Sequence, residues 1–176
     1  MSISQVKYIK DQKVSRELDL KLRDSLYKCF PRREIFKHQR YYKEMPQHRW
    51  YLEDKNKIIA HVAVHEKEML NKQKLIKIGG VAEVFVLPDY RKMGLAKLLL
   101  EKAHQWMENN KIPFSMLFGK PKIYRSSGYF VIENEIRYFD YQEKKWHCEK
   151  IPDAMAKLIT GKKWPDGKID IQGPTF

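Results

Sequence analysis

Apolar and polar positions alternate along the chain at two periods, near two and near three and a half, and the changes between them mark out the elements. Val6–Ile9 reads as a short opening strand. Leu18, Leu20, Leu22, Leu26 and Phe30 fit a helix loosely, ended by Pro31. A second, strongly basic helical segment is predicted over Arg33–Tyr42 and stopped by Pro46, after which HRWYLED reads as a strand. Lys57–His65 (KIIAHVAVH) and Lys74–Val86 (KLIKIGGVAEVFV) are predicted strands, with EKEMLNKQ between them as a hairpin loop. Gly79–Gly80 inside the second strand point to a bulge or a close backbone approach. Over Gly94–Asn109, Leu95, Leu98, Leu99, Ala103, Trp106 and Met107 keep the spacing of a helix with one buried face. FSMLFG then reads as a buried strand, KPKIYRSSG as a short helix or turn, and YFVIENEIRYFDY as two strands around Glu133–Asn134. The ending WPDGKIDIQGPTF reads as a turn, a short strand and a Gly-Pro approach to Phe176. Strands before and after a central helix, mostly antiparallel with one parallel crossing, predict an α+β domain with a mixed sheet. The expectation is one domain over residues 1–176, with 145–176 a C-terminal tail packed on it.

Composition supports a globular chain: 43% of residues are hydrophobic and 32% charged, enough for a core without metal or disulfide staples. Cys29 and Cys148 lie far apart without CxxC spacing, and the polar start MSISQVKYIKDQK lacks an apolar signal region. Two free thiols in a reducing compartment follow, so a cytoplasmic location is expected. No apolar run approaches the roughly 20 residues of a membrane span, and no membrane partner is expected. Net charge +13 and a pI near 9.6 would draw a polyanion: nucleic acid, an acidic membrane surface or a phosphorylated cofactor. A lysine-rich solvated surface explains the charge equally well, because the lysines are spread along the chain.

The stretch Val86–Leu100, VLPDYRKMGLAKLLL, narrows the choice. A strand ends at a proline, two cations follow, and a glycine opens the helix. Unpaired N–H groups in that first turn, with the positive end of the helix dipole and Arg91 and Lys92 beside them, make a nest that suits a pyrophosphate. Taken alone, an ordinary strand–turn–helix with Gly94 easing the turn fits as well.

In context, Val84–Ala96 (VFVLPDYRKMGLA) resembles the coenzyme-A-binding motif of the GNAT superfamily of N-acyltransferases, with Arg91, Gly94 and Ala96 in the motif positions. Ala96 stands where many members carry a second glycine. FSMLFGKPKIYRSSGYFVIEN resembles the family's second landmark, and together the two cover about Ile58–Asn134. The resemblance implies the GNAT fold, a mixed, mostly antiparallel central sheet flanked by helices, with a splayed parallel strand pair at the cofactor site. It implies acetyl-CoA as cofactor and direct transfer of an acetyl group to a primary amine of a small molecule. By position it assigns Val84, Phe85 and Val86 to the pantetheine arm. Lys92, Met93, Gly94, Leu95, Ala96 and Lys97, with Arg91, fall to the pyrophosphate. An amide near Val84 or Phe85 would polarise the thioester carbonyl.

Tyr124, in KIYRSSGY, occupies the place where many members put a tyrosine beside the thioester sulfur, and is the candidate acid. The alternative is a packing residue, in a chain with ten tyrosines. Glu83 lies in the cofactor strand and is a candidate base, although strand alternation puts it with Val81 and Phe85 and also suits a structural carboxylate. The tail resembles that of a GNAT subgroup including aminoglycoside N-acetyltransferases and the enhanced-intracellular-survival enzymes. That likeness makes the carboxylate of Phe176 another candidate base. His61 and His65 share a strand face about 13 Å apart, too far for one metal, so no metal is expected. Two other classes stay open: a nucleic-acid module built on PRREIFKHQRYYKEMPQHRW, which has no RNP, KH or zinc signature, and a CoA-binding GNAT fold without catalysis. A homodimer also stays open.

Overall fold

The computed structural model describes residues 5–176. They form two compact units, one reaching to His65 and including Ala82–Ala103, the other made of Glu66–Val81 and His104–Phe176. Three elements belong partly to each: β3 (Lys57–Asn71), β4 (Lys74–Val86) and α2 (Leu95–Asn109).

In the first unit β1 (Lys7–Lys10) pairs antiparallel with β2 (His48–Asp54), and β2 with β3. The β2–β3 turn is tight because Lys55 and Asn56 both adopt positive φ, +46° and +63°, matching a right-twisted hairpin. Helix α1 (Arg16–Cys29) begins where Ser15 Oγ accepts the Leu18 N–H at 3.2 Å, with Glu17 and Asp19 at its positive end. Its buried stripe, Leu22 and Leu26 with Leu18 beside them, packs with Phe36, Tyr51, Ile58 and Phe85. Leu20 lies off that stripe and is exposed. The helix expected over Arg33–Tyr42 is a single 3-10 turn, Glu34–Lys37. Like charges four apart, Arg33 and Lys37, weaken a longer helix, and the Arg40 carbonyl accepts from Arg49 Nη2 at 2.9 Å instead of a later turn.

In the second unit the strands follow the order β6–β9–β5–β4–β3–β10–β7–β8. These are β5 (Phe114–Phe118), β6 (Phe130–Val131), β7 (Glu135–Asp140), β8 (Lys145–Lys150), β9 (Ala154–Leu158) and β10 (Ile169–Asp170). Two of the pairings are parallel, β4 with β5 and β10 with β7; the mixed sheet is mostly antiparallel. The β4–β5 ladder runs from Ile78–Phe114 to Gly80–Met116, and among the described residues it goes no further. The expected hairpin loop EKEMLNKQ is largely strand: β3 continues to Asn71, and only Lys72 and Gln73, at φ +45° and +69°, make the turn. Such a turn normally calls for Asn or Gly, so the sequence hides it. Within 145–176, β9 inserts between β5 and β6, and β10 between β3 and β7. Asn71 Nδ2 donates to the carbonyls of Asp166 and Lys168 at 3.0 Å each, and Asn134 Nδ2 to that of Pro165 at 3.1 Å, which seats this irregular backbone. The core here gathers Met69, Ile78, Phe114, Met116, Ile136, Ile169 and Ile171. A Cβ on Gly79 would lie 2.3 Å from Met107 Cε, so the paired glycines mark a close approach. No helix among the described residues is long and apolar enough to cross a membrane.

Candidate active site

The turn between β4 and α2 builds a nest of backbone donors. Leu87 N–H bonds the Ile59 carbonyl at 2.8 Å, and Pro88–Tyr90 make a 3-10 turn fixed by Tyr90 Oη donating to Asp54 at 2.6 Å. Arg91 Nε donates to the Val86 carbonyl at 3.3 Å. Lys92 and Gly94 then take left-handed conformations, φ +66° and +74°, which turns successive amides toward one side. A Cβ on Gly94 would meet no described residue within 4 Å, so glycine serves the backbone angle and leaves the nest open. The first intrahelical bond is Leu98 N–H to Gly94 O, 3.0 Å, which leaves the amides of Leu95, Ala96 and Lys97 without helical acceptors. Arg91, Lys92, Met93 and Lys97 are exposed around this turn, and no acidic residue lies in the first turn of α2.

Upstream, Val84 and Val86 are half-buried, and Phe85 is buried in the α1 core. Cys29 Sγ lies 3.8 Å from the Val86 carbonyl, and burial pushes its thiol pKa up. Glu83 has φ +52°, left-handed in mid-strand. Its two carboxylate oxygens are both engaged: Oε1 accepts the Tyr42 N–H at 2.9 Å and Oε2 accepts from Arg49 Nη1 at 3.0 Å. Burial raises its pKa against the pull of Arg49. Arg49 is fully buried and also donates to Asp11 and to His61 Nε2 at 3.1 Å. Burial raises Asp11, but Arg40 and Arg49 outweigh it and hold the carboxyl below its usual value. His61 Nδ1 lies 2.9 Å from the Glu83 carbonyl. Burial and then the Arg49 charge press the His61 pKa down to about 3. Neutral His61 therefore donates from Nδ1 and accepts at Nε2.

The second unit brings Tyr124 and Phe176 to consecutive residues at the end of β5. The Phe118 and Phe176 rings lie 5.2 Å apart, and Gly119 leaves room for Tyr124, whose Cε2 a Cβ there would meet at 2.5 Å. Tyr124 is the last residue of the short helix α3 (Pro121–Tyr124) and packs edge-on against Tyr129 at 6.0 Å; burial raises its pKa. The Phe176 ring also covers Gly80, where a Cβ would come within 2.9 Å. Lys67 Nζ sits 5.9 Å above the same ring. Beside Tyr124 a buried chain runs from Ser115 Oγ to Tyr129 Oη, 2.6 Å, and on to His104 Nε2, 2.8 Å. Burial, with the charge of Lys157, lowers His104 to about 3.

Asp11, Arg49 and the Ser115–Tyr129–His104 chain escape a reading of the sequence. Arg49 lies in a strand buried on both faces, so alternation carries no mark of it. An arginine set directly beside Trp50, Tyr51 and Leu52 in HRWYLED is the one available signal.

A mixed sheet with a parallel β4–β5 ladder that stops short, a glycine-opened helix after β4 and a tyrosine-bearing turn after β5 define a GNAT-fold acyltransferase. The chain belongs to that family: the family model described as an acetyltransferase (GNAT) domain matches residues 13–132. A GNAT family N-acetyltransferase of Escherichia coli, YhbS, solved in complex with CoA, aligns with a TM-score of 0.65 and 13% identity, covering 96% of this chain and 89% of that one. A GNAT acetyltransferase of Brucella melitensis in complex with acetyl-CoA gives 0.61 and 16%, covering 94% of each chain. Eis1 of Mycobacterium abscessus gives 0.57 and 12%, covering 73% of this chain and 32% of its own, so the present chain spans about a third of its length. At these identities the likeness is one of fold. No curated protein sequence matches the chain.

Proposed function

We propose that the chain is an acetyl-CoA-dependent N-acetyltransferase that passes an acetyl group directly to the primary amine of a small molecule. The observation that carries the reading is the Lys92–Lys97 turn. Its left-handed Lys92 and Gly94, open glycine and acceptor-free helix amides fit a pyrophosphate, and exposed cations surround it. Met93 lies within this turn and contributes its amide. Bound acetyl-CoA supplies the acetyl group as a thioester, already activated toward an amine. The main chain of Val84–Val86 would pair with the pantetheine amides as an added strand does. An N–H of Val84 or Phe85 would donate to the carbonyl oxygen as charge develops there. Tyr124 Oη protonates the departing thiolate in this reading, and its raised pKa keeps it protonated at neutral pH. The proton shed by the attacking amine passes to water, which restores the phenol. Glu83 enters as a holder of the β4 backbone, since both its oxygens already accept. Phe176 enters through its ring, which seats the last residues on Gly80 and Phe118.

Direct transfer suits Cys29, the cysteine nearest the cofactor strand. The Cys29 thiol, raised by burial, is a poor nucleophile for carrying an acyl group. Two free thiols also favour a reducing, cytoplasmic setting. The test is thiol release from acetyl-CoA over a panel of small primary amines. At least one amine should drive release above the hydrolysis background. Binding of single-stranded nucleic acid with no amine-dependent release would overturn the reading.

A further inference from the structure

The interior of β4 contains a conformation that its own residue disfavours. Glutamate has no intrinsic reason to take φ +52° in mid-strand, and such a backbone persists only where the surroundings hold it. Here the holders are identifiable. The His61 imidazole donates from Nδ1 to the Glu83 carbonyl at 2.9 Å, and its ring stacks on Phe85 at 5.3 Å and 25°. One side chain thus grips the residues on both sides of Val84. Arg49 grips the gripper: Nη1 donates to His61 Nε2 and to the Glu83 carboxylate, while Nε donates to Asp11. That donation fixes the imidazole as the Nδ1–H tautomer, the one able to reach the carbonyl. His61 and Arg49 are fully buried, so neither can meet a substrate.

We infer that His61, locked by Arg49, is a positioning residue that holds the left-handed turn at Glu83 and thereby aims the Val84 amide. The inference rests on the proposed function, in which that amide polarises the acyl carbonyl. Its effect falls on turnover more than on cofactor binding, because the nest at Lys92–Lys97 lies outside the grip.

Four forms of the chain test this: wild type, His61→Ala, His61→Asn, and His61→Ala with Glu83→Gly. Asparagine keeps an N–H donor near the Nδ1 position, and glycine takes φ +52° without being held. His61→Ala should lower kcat by about tenfold or more, since a misaimed amide donor costs on the order of 10²-fold when lost outright. KM for acetyl-CoA should stay within about threefold, as expected when an interaction of the transition state is removed. His61→Asn should recover much of kcat. The double variant should recover kcat without recovering Tm, a split that a merely structural role does not produce. Imidazole ¹⁵N resonances of the wild type should report the Nδ1–H tautomer of His61 near neutral pH. An active wild type with kcat unchanged in His61→Ala, or an Nε2–H tautomer, overturns this inference and leaves the proposed function standing. A wild type that neither binds acetyl-CoA nor turns it over overturns the proposed function and the inference together.

Discussion

Tyr124 stands on two glycine-dependent contacts. Gly119 gives its ring space against the end of β5, and Gly128, at φ +86°, closes the following turn into Tyr129. The Tyr129 hydroxyl is committed to Ser115 and His104, whereas among the described residues no hydrogen bond engages Tyr124 Oη, and this division suits one tyrosine for structure and the other for chemistry. Tyr124→Phe should therefore lower kcat by about 10²-fold with little change in acetyl-CoA affinity, measured by steady-state kinetics beside calorimetry. Turnover kept within about threefold would make Tyr124 a packing residue.

At the scale of elements, β4 and the buried charges around its Glu83 end form one hydrogen-bonded cluster. Arg40 pairs with Asp11 and Asp19, and Arg49 with Asp11 and Glu83, so each arginine meets two carboxylates and the two share Asp11. Arg49→Met would leave the buried Glu83 carboxylate, among the described residues, with the Tyr42 amide alone. Loss of one partner of a buried pair costs about 3–5 kcal/mol, and urea unfolding should register a loss of that order. Glu83→Gln in the same background should recover part of it by removing the stranded charge; no recovery would mean that the pair is not the source. β2, β4, α2 and β5 were legible in the sequence because their periodicity and bounding turn residues agree. The extension of β3 to Asn71 was not, since Lys72–Gln73 form a tight turn with residues that rarely do so. β8 and β9 are also hidden in the sequence: β8 is almost wholly exposed and shows no apolar face, and β9 is a short run, AMAKL, without a clear alternation. Of the candidate site, the nest was readable from Gly94 and its cations. The grip on Glu83 was not, because it joins Asp11, Arg49, His61 and Glu83 across strands that sequence spacing does not relate.

For the whole molecule, two histidines set the response to acid. Burial, and secondarily Arg49 for His61 and Lys157 for His104, hold both near a pKa of about 3, below the ordinary 6.5. The unfolded chain binds protons at these positions below about pH 6.5 that the folded chain refuses, so the unfolded state gains as pH falls. Their stabilising effect is complete above the unfolded value and declines as pH drops toward the folded one, by about 2 kcal/mol for each at pH 5. Asp11, held below its usual value, adds a further loss at still lower pH as it takes up its proton, while Glu83, raised by burial, works in the opposite direction as it takes up its own. Melting temperature should therefore fall steadily from about pH 7.5 to about pH 5, and a flat profile would contradict the burial of neutral His61 and His104.

The central claim is that the turn after β4 is the anion nest of an acetyl-CoA site, and calorimetric titration of acetyl-CoA into wild type and Gly94→Asp tests it most directly. The aspartate has room but meets φ +74°, a strain of about 1 kcal/mol, and places a negative charge among amides meant for phosphate. The account predicts saturable binding to the wild type and none measurable to Gly94→Asp, with the variant still folded by circular dichroism. Equal affinity in the two proteins, or no binding to the wild type, would contradict it.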